Sequence, residues 1–190
     1  MRAIPIAVTA LVAALTLTAC GDGGNDDGGG DGSDGGTKAT ASAASDASSA
    51  CKVGQVGMEV DPASAAPAAG DTGIVPVTIT NSGAECTLEG FPGIDLNAGE
   101  ASATVAGDEA AQPEKLTLAK DDTVTFTITY VRGEAADANS LDAKTVKVSL
   151  PGATATQDFP WSYGPVAGKA GKTGADDPDA SVSPFQHAGD

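Results

Sequence analysis

Catalysis at neutral pH usually rests on a positioned base, and this sequence offers one histidine, His187, in a Gly-, Ala-, Lys- and Asp-rich stretch close to its last residue. A Ser-His-Asp or Cys-His arrangement needs that imidazole held between a nucleophile and a third group, and nothing around His187 promises such support. Paired carboxylates can act as acid and base without histidine. The visible pairs are Glu85 with Glu89 and Asp121 with Asp122, and each reads more simply as a polar strand face or a turn. A zinc or copper site draws on several His, Cys or Met side chains. Once the cysteines are set aside, only Met58 and His187 follow Cys20, so no metal or other cofactor is expected. The Gly-rich stretch lacks the Lys-Ser/Thr ending of a phosphate-binding loop. These residues point away from an enzyme.

The cysteines are more informative. Met1 and Arg2 give a short positive start, Ala3 to Leu17 is apolar, and Leu17-Thr18-Ala19-Cys20-Gly21 follows. This is the layout of an export signal, and small residues ahead of a cysteine fit the lipobox of bacterial lipoprotein precursors. The expectation is a signal peptide over 1–19 and lipidation (a palmitate-type anchor) on Cys20, which would hold the protein on the outer face of the cell membrane. The apolar run is too short for a comfortable span of about 20 residues. One acyl chain anchors only marginally, and the several chains of a lipoprotein make attachment durable. With Cys20 used by lipid, Cys51 and Cys86 remain as an even pair in an oxidising compartment, where a disulfide is the natural reading. No Cys-x-x-Cys spacing favours a redox or metal role.

Charge narrows the partners. Ten Lys and Arg stand against 26 Asp and Glu, for a formal net charge of −16. Arg132 is the one arginine beyond the signal. Nucleic-acid binding, which uses Lys and Arg on phosphates, is excluded on this count, and anionic lipid headgroups would repel the polypeptide.

The elements that must position any site begin after a tether. From Cys20 to Ala50 the chain is Gly, Asp, Ser, Thr and Ala with almost nothing to bury, a composition that cannot offset its ordering entropy. It reads as a flexible linker with an r.m.s. reach of about 30 Å. Its Asp/Gly half invites a calcium reading, yet no Asp-x-[Asp/Asn]-x-[Asp/Asn]-Gly register exists and no glutamate closes the loop. From Cys51 the texture changes to short β-branched runs separated by Gly, Pro, Asn and Asp. Val56, Met58 and Val60 alternate, as do Val75, Val77 and Ile79, then Cys86 and Leu88, Ile94 and Leu96, Leu116 and Leu118. The cleanest strand sets Val124, Phe126, Ile128 and Tyr130 against Thr123, Thr125, Thr127 and Thr129, apolar inward and threonine outward. Val146, Val148 and Leu150 make another strand, and Phe159 to Tyr163 is expected to close the domain. A helical turn is expected over Glu134 to Leu141. The fold class is therefore all-β, an immunoglobulin-like antiparallel β-sandwich over 51–166, with 167–190 as a loose tail.

Cys51, then Asn81-Ser82-Gly83, then Cys86-Thr87-Leu88-Glu89-Gly90-Phe91-Pro92-Gly93-Ile94 resemble a pattern recurrent in secreted actinobacterial lipoproteins: Cys…Asn-x-Gly-x-x-Cys-x-Leu-x-Gly-[Phe/Tyr]-Pro-x-[Val/Ile]. The likeness extends to Leu150-Pro151-Gly152 and Trp161. It implies a disulfide-bearing β-sandwich domain of unknown function and supplies no activity. Some relatives carry a further cysteine before Thr145, absent here. Locally, Gly83 suits a positive φ in a hairpin and Pro92-Gly93 a type II turn. Phe91 either packs over the disulfide or meets a ligand, and packing is the preferred reading. Trp161, Tyr163 and Phe159 are either a sugar or peptide platform or a plug for the core, again with the core preferred. The functional expectation is a membrane-anchored, non-enzymatic cell-envelope module that binds a protein or wall component. Small-solute or calcium capture is the alternative, and a carboxylate-based enzyme is a more distant one.

Overall fold

The computed structural model describes residues 49–188; Cys20, the signal and nearly all of the linker lie outside them. Strand-forming alternation decides the architecture, because each run buries one face and wets the other. In β2 (Thr72–Asn81) and β7 (Thr123–Val131), Val75, Val77 and Ile79 sit opposite Ile128, Phe126 and Val124 in antiparallel register, all of them buried. Full burial of each such side chain stabilises by about 1.5 to 3 kcal/mol. The threonines of β7 face outward, half-buried, as the alternation requires. β1 (Val56–Val60) adds Met58 to the same face against Ile79.

A second layer is built from β4 (Gly93–Ala98), β5 (Ala101–Gly107), β9 (Thr145–Ser149) and β10 (Thr156–Pro160), in the order β5-β4-β9-β10 and antiparallel throughout. Ile94 and Leu96 face Val148 and Val146 across the register and carry the core of this layer. Two short pairs complete the frame: β3 (Cys86–Glu89) with β6 (Lys115–Leu118), and β8 (Ser140–Leu141) with β11 (Val166–Ala167). The expected all-β, sandwich-like fold is present. Its closing strand runs over Thr156–Pro160 rather than Phe159 to Tyr163, and β5 is a strand the sequence pattern does not announce.

The largest correction concerns 167–190. As far as residue 188 this stretch is not a loose tail, because β12 (Ala180–Val182) lies inside the main sheet, antiparallel to β7 and parallel to β5. It joins the two layers into one continuous run, β1-β2-β7-β12-β5-β4-β9-β10. β13 (Gln186–His187) then pairs with the start of β7. Val182 and Phe185 are buried, and Phe185 meets Phe126 edge-to-face at 5.8 Å between centroids. Three residues are too few to show a period, so burial supplied by their neighbours outweighs their turn-rich context. The expected helical turn over Glu134 to Leu141 is also replaced. Ala136 takes φ +62°, the Asp137 carboxylate accepts from the Asn139 amide at 2.9 Å, and the segment makes turns that lead into β8. Asx-type bonding of this kind competes with a helix.

Candidate functional site

The ends of β7 divide the domain into two poles, about 27 Å apart for a nine-residue strand. The first pole gathers the end of β2, the β2–β3 and β6–β7 turns, and the disulfide. Cys51 and Cys86 are bonded, with Cα atoms 4.9 Å apart and both residues buried. The described chain begins here, where the Thr87 amide donates to the Ser49 carbonyl and the Cys51 amide to that of Thr87.

At the centre of this pole is a polar group that the sequence reading passes over as part of a turn. Asn81 is fully buried, with no exposed surface. Its Nδ2 lies 3.0 Å from the carbonyl oxygens of Ala84 and Leu118 and 3.1 Å from that of Ala119, while its Oδ1 accepts from the Gly83 amide at 3.0 Å. Its own backbone bonds to Asp121 and Asp122. One amide thus ties the end of β2 to two turns. Gly83 therefore serves by donating to Asn81 rather than by a left-handed φ, and Gly90 is the member of the motif with positive φ, at +103°. Gly93 opens β4 in extended backbone, so the expected type II turn at Pro92-Gly93 does not form. Phe91 packs, but across Gly107 of β5, where a Cβ would lie 2.9 Å from its ring.

The opposite pole carries the long connections: 61–71 between β1 and β2, 132–139 between β7 and β8, and 168–179 between β11 and β12. An aromatic cluster holds it together. Trp161 is buried, its indole N–H donates to the Gly164 carbonyl at 2.8 Å, and it stands edge-on to Tyr130 and Tyr163 at 5.1 and 4.9 Å. The Tyr130 hydroxyl accepts from the Ala66 amide at 3.2 Å and donates to the Tyr163 carbonyl at 3.0 Å. The Arg132 guanidinium donates to the Ala66 and Pro67 carbonyls at 2.7 and 3.0 Å. Gly73 makes room for this, since a Cβ there would fall 2.3 Å from the Tyr130 ring. Trp161 is core, as preferred, while Tyr163 and Phe159 are half-buried against it. Burial, and secondarily the neighbouring Tyr130, push the Tyr163 phenol above its ordinary range.

The carboxylates singled out by spacing do not meet across a cleft. Glu85 and Glu89 are exposed, Glu89 beside Lys115 in the β3–β6 register. Asp121 and Asp122 form the β6–β7 turn, in which Asp121 has φ +69° and the Asp122 carboxylate accepts from the Ala119 amide at 2.9 Å. His187 is exposed on β13 and Met58 is buried in the core.

A depression of about 370 Å³ lies on the outer face where β12 enters the sheet. Its floor is a row of small side chains from adjacent strands, Thr129, Ser181 and Ala106, and its rim carries Asp108, Glu109, Lys169 and Asp179. The Lys169 ammonium lies 3.4 Å from the Asp177 carboxylate. β12 contacts β5 over two residues only, Ala106 and Gly107. The edge of β5 away from β4, from Ala101 to Val105, carries no strand partner or loop hydrogen bond among the described residues.

The described residues thus form a disulfide-stapled, all-β domain whose long connections crowd one pole. The chain belongs to a family described as a domain of unknown function, DUF4232, which matches residues 51–186 and so takes in β12 and the start of β13. No curated protein matches the chain.

Proposed function

We propose that this protein is a non-enzymatic binding module of the cell envelope, tethered to the outer face of the membrane by lipid on Cys20 and built on the pattern of secreted actinobacterial lipoproteins. The observation that carries this reading is polarity. The described chain begins at the disulfide pole, and the long connections and the depression beside β12 lie toward the other. A domain attached through its N-terminal side by a linker of about 30 residues would leave that second pole clear of its attachment point. The Leu-Thr-Ala-Cys sequence supports the anchor.

Fractionation of cells expressing the wild type and Cys20→Ala tests the anchor. The wild type is expected in the membrane fraction, and the variant in the medium or retained uncut. Equal membrane retention of both refutes it. Cross-linking on living cells, followed by identification of the attached species, tests the binding role. A purified chain that turns over a substrate in a hydrolase or transferase screen overturns the non-enzymatic part.

A further inference from the structure

The open edge of β5 is unlike the other edges of the sheet. A free strand edge presents unpaired N–H and C=O groups, and natural proteins blunt such edges with charge, proline, bulges or a covering segment. β1 carries Glu59, and β10 carries Asp158 and Pro160. Among the described residues nothing covers the stretch Ala101-Ser102-Ala103-Thr104-Val105, and it is uncharged and free of proline, with Ala101, Ser102 and Thr104 exposed and Ala103 and Val105 buried. The direction of its backbone follows from β12. The Asp108 amide donates to the Val182 carbonyl, and Val182 stands opposite Gly107, so the even-numbered residues of this strand turn their backbone groups toward β12. By alternation, the groups of Ser102 and Thr104 point along the open edge. The non-hydrogen-bonded Asp95–Thr104 pair this implies on the β4 side agrees with their side chains meeting at 2.6 Å.

β12 stops short of that edge because the chain turns away before Ala180, whose amide bonds back to the Pro178 carbonyl. A strand laid beside Ser102 and Thr104 would extend the line that β12 leaves unfinished and run toward the depression rimmed by Asp108, Glu109, Asp179 and Lys169, whose ammonium is engaged by the Asp177 carboxylate. From this juxtaposition we infer that the Ala101–Val105 edge is a docking site for an extended, lysine- or arginine-bearing polypeptide segment, bound by strand addition. Main-chain bonds supply affinity in this mode and side-chain surroundings supply selection. Here the surroundings are acidic. The net charge of −16 selects against a second copy of the chain on the same edge and in favour of a basic segment. The inference rests on the binding-module reading and is independent of the anchor.

The test uses the full chain, purified from whichever cell fraction contains it, so the anchor and the docking edge fail separately. The probes are a fluorescein-labelled nonapeptide of alternating lysine and valine and a counterpart of alternating glutamate and valine. Anisotropy is expected to rise with the lysine peptide alone and to weaken as salt is added. Amide exchange at Ser102 and Thr104 is expected to slow on binding while that at Ala103, already bonded to β4, is unchanged. Ser102→Pro removes one edge donor without touching a β4 bond, and is expected to lower affinity at least tenfold at an unchanged unfolding temperature. Equal binding of the two peptides, or unaltered exchange at Ser102 and Thr104, overturns the inference. So does a peptide-free dimer that protects those same amides, which would give the edge to a second copy. If Ser102→Pro does not fold, the exchange measurement on the wild type decides alone.

Discussion

Replacing Asn81 by alanine removes a side chain that serves four backbone groups and exposes none of itself to water. The cost can be worked group by group. The bond to the Leu118 carbonyl is buried, and stranding such a group costs about 1 to 3 kcal/mol. The Ala84 and Ala119 carbonyls and the Gly83 amide are partly buried and regain some water, so each loses nearer the net value of about 0.5 to 1 kcal/mol. Two Nδ2 hydrogens are shared among three carbonyls, so the donated bonds count as about two. The sum is about 2 to 5 kcal/mol, and for a domain of this size it corresponds to a fall of roughly 5 to 20 °C in Tm. Urea unfolding followed by Trp161 fluorescence measures it well, because the indole is buried at the opposite pole and reports global rather than local loss. Asn81→Asp keeps the shape but directs a carboxylate at three carbonyl oxygens, and is expected to be at least as damaging as alanine. A loss below about 1 kcal/mol for Asn81→Ala, with an unchanged urea slope, would refute the claim that this amide ties the pole together.

Three further outcomes follow from the fold. Paired Cys51→Ser and Cys86→Ser substitutions open a loop of 35 residues, which on the chain-entropy model lowers stability by about 4 kcal/mol in urea titrations. Val182→Asp places a charge at a fully buried position of β12 and is expected to unfold the whole domain; circular dichroism of a variant that stays folded would contradict the place of β12 in the sheet. The Tyr163 phenol is held neutral by the fold, so its contribution to stability is complete below the ordinary tyrosine value of about 10 and is lost as pH rises through its raised folded value. Ultraviolet titration of wild type and Tyr163→Phe should show one phenol ionising late, and loss of an ordinary transition instead would contradict its burial.

The parts of this fold legible in the sequence are those that carry their own period. The Thr-Val-Thr-Phe-Thr-Ile-Thr run of β7 and the valines of β2 and β9 settle both strand and facing, because a one-residue slip would turn every apolar side chain to water. The Cys51–Cys86 bridge is legible from the even pair left once Cys20 is set aside, and Trp161 from its apolar area. β5 was not, since Ala101, Ala103 and Ala106 are too small to mark a period, and its strand state comes from β4. β12 failed for lack of length. Asn81 failed for a different cause: an asparagine before Ser-Gly has the composition of an exposed turn, and only the return of the β6–β7 turn over it makes it a buried donor. The candidate docking edge was invisible in the sequence because it depends on where two strands that were not foreseen stop touching.

The position of β12 also sets a schedule. Translation runs from the N- to the C-terminal side, so the three residues that join β7 to β5 come after every other strand of the main run. Until Ala180 to Val182 are available, no strand of one layer pairs with a strand of the other among the described residues, and the core residues Val182 and Phe185 are missing from between them. Pairings this remote in sequence form slowly. A nascent copy therefore remains uncommitted to its final shape until β12 itself has been made. An internal fusion or stop placed before Ala180 would leave a chain that never reaches the commitment step, however well its earlier strands are formed.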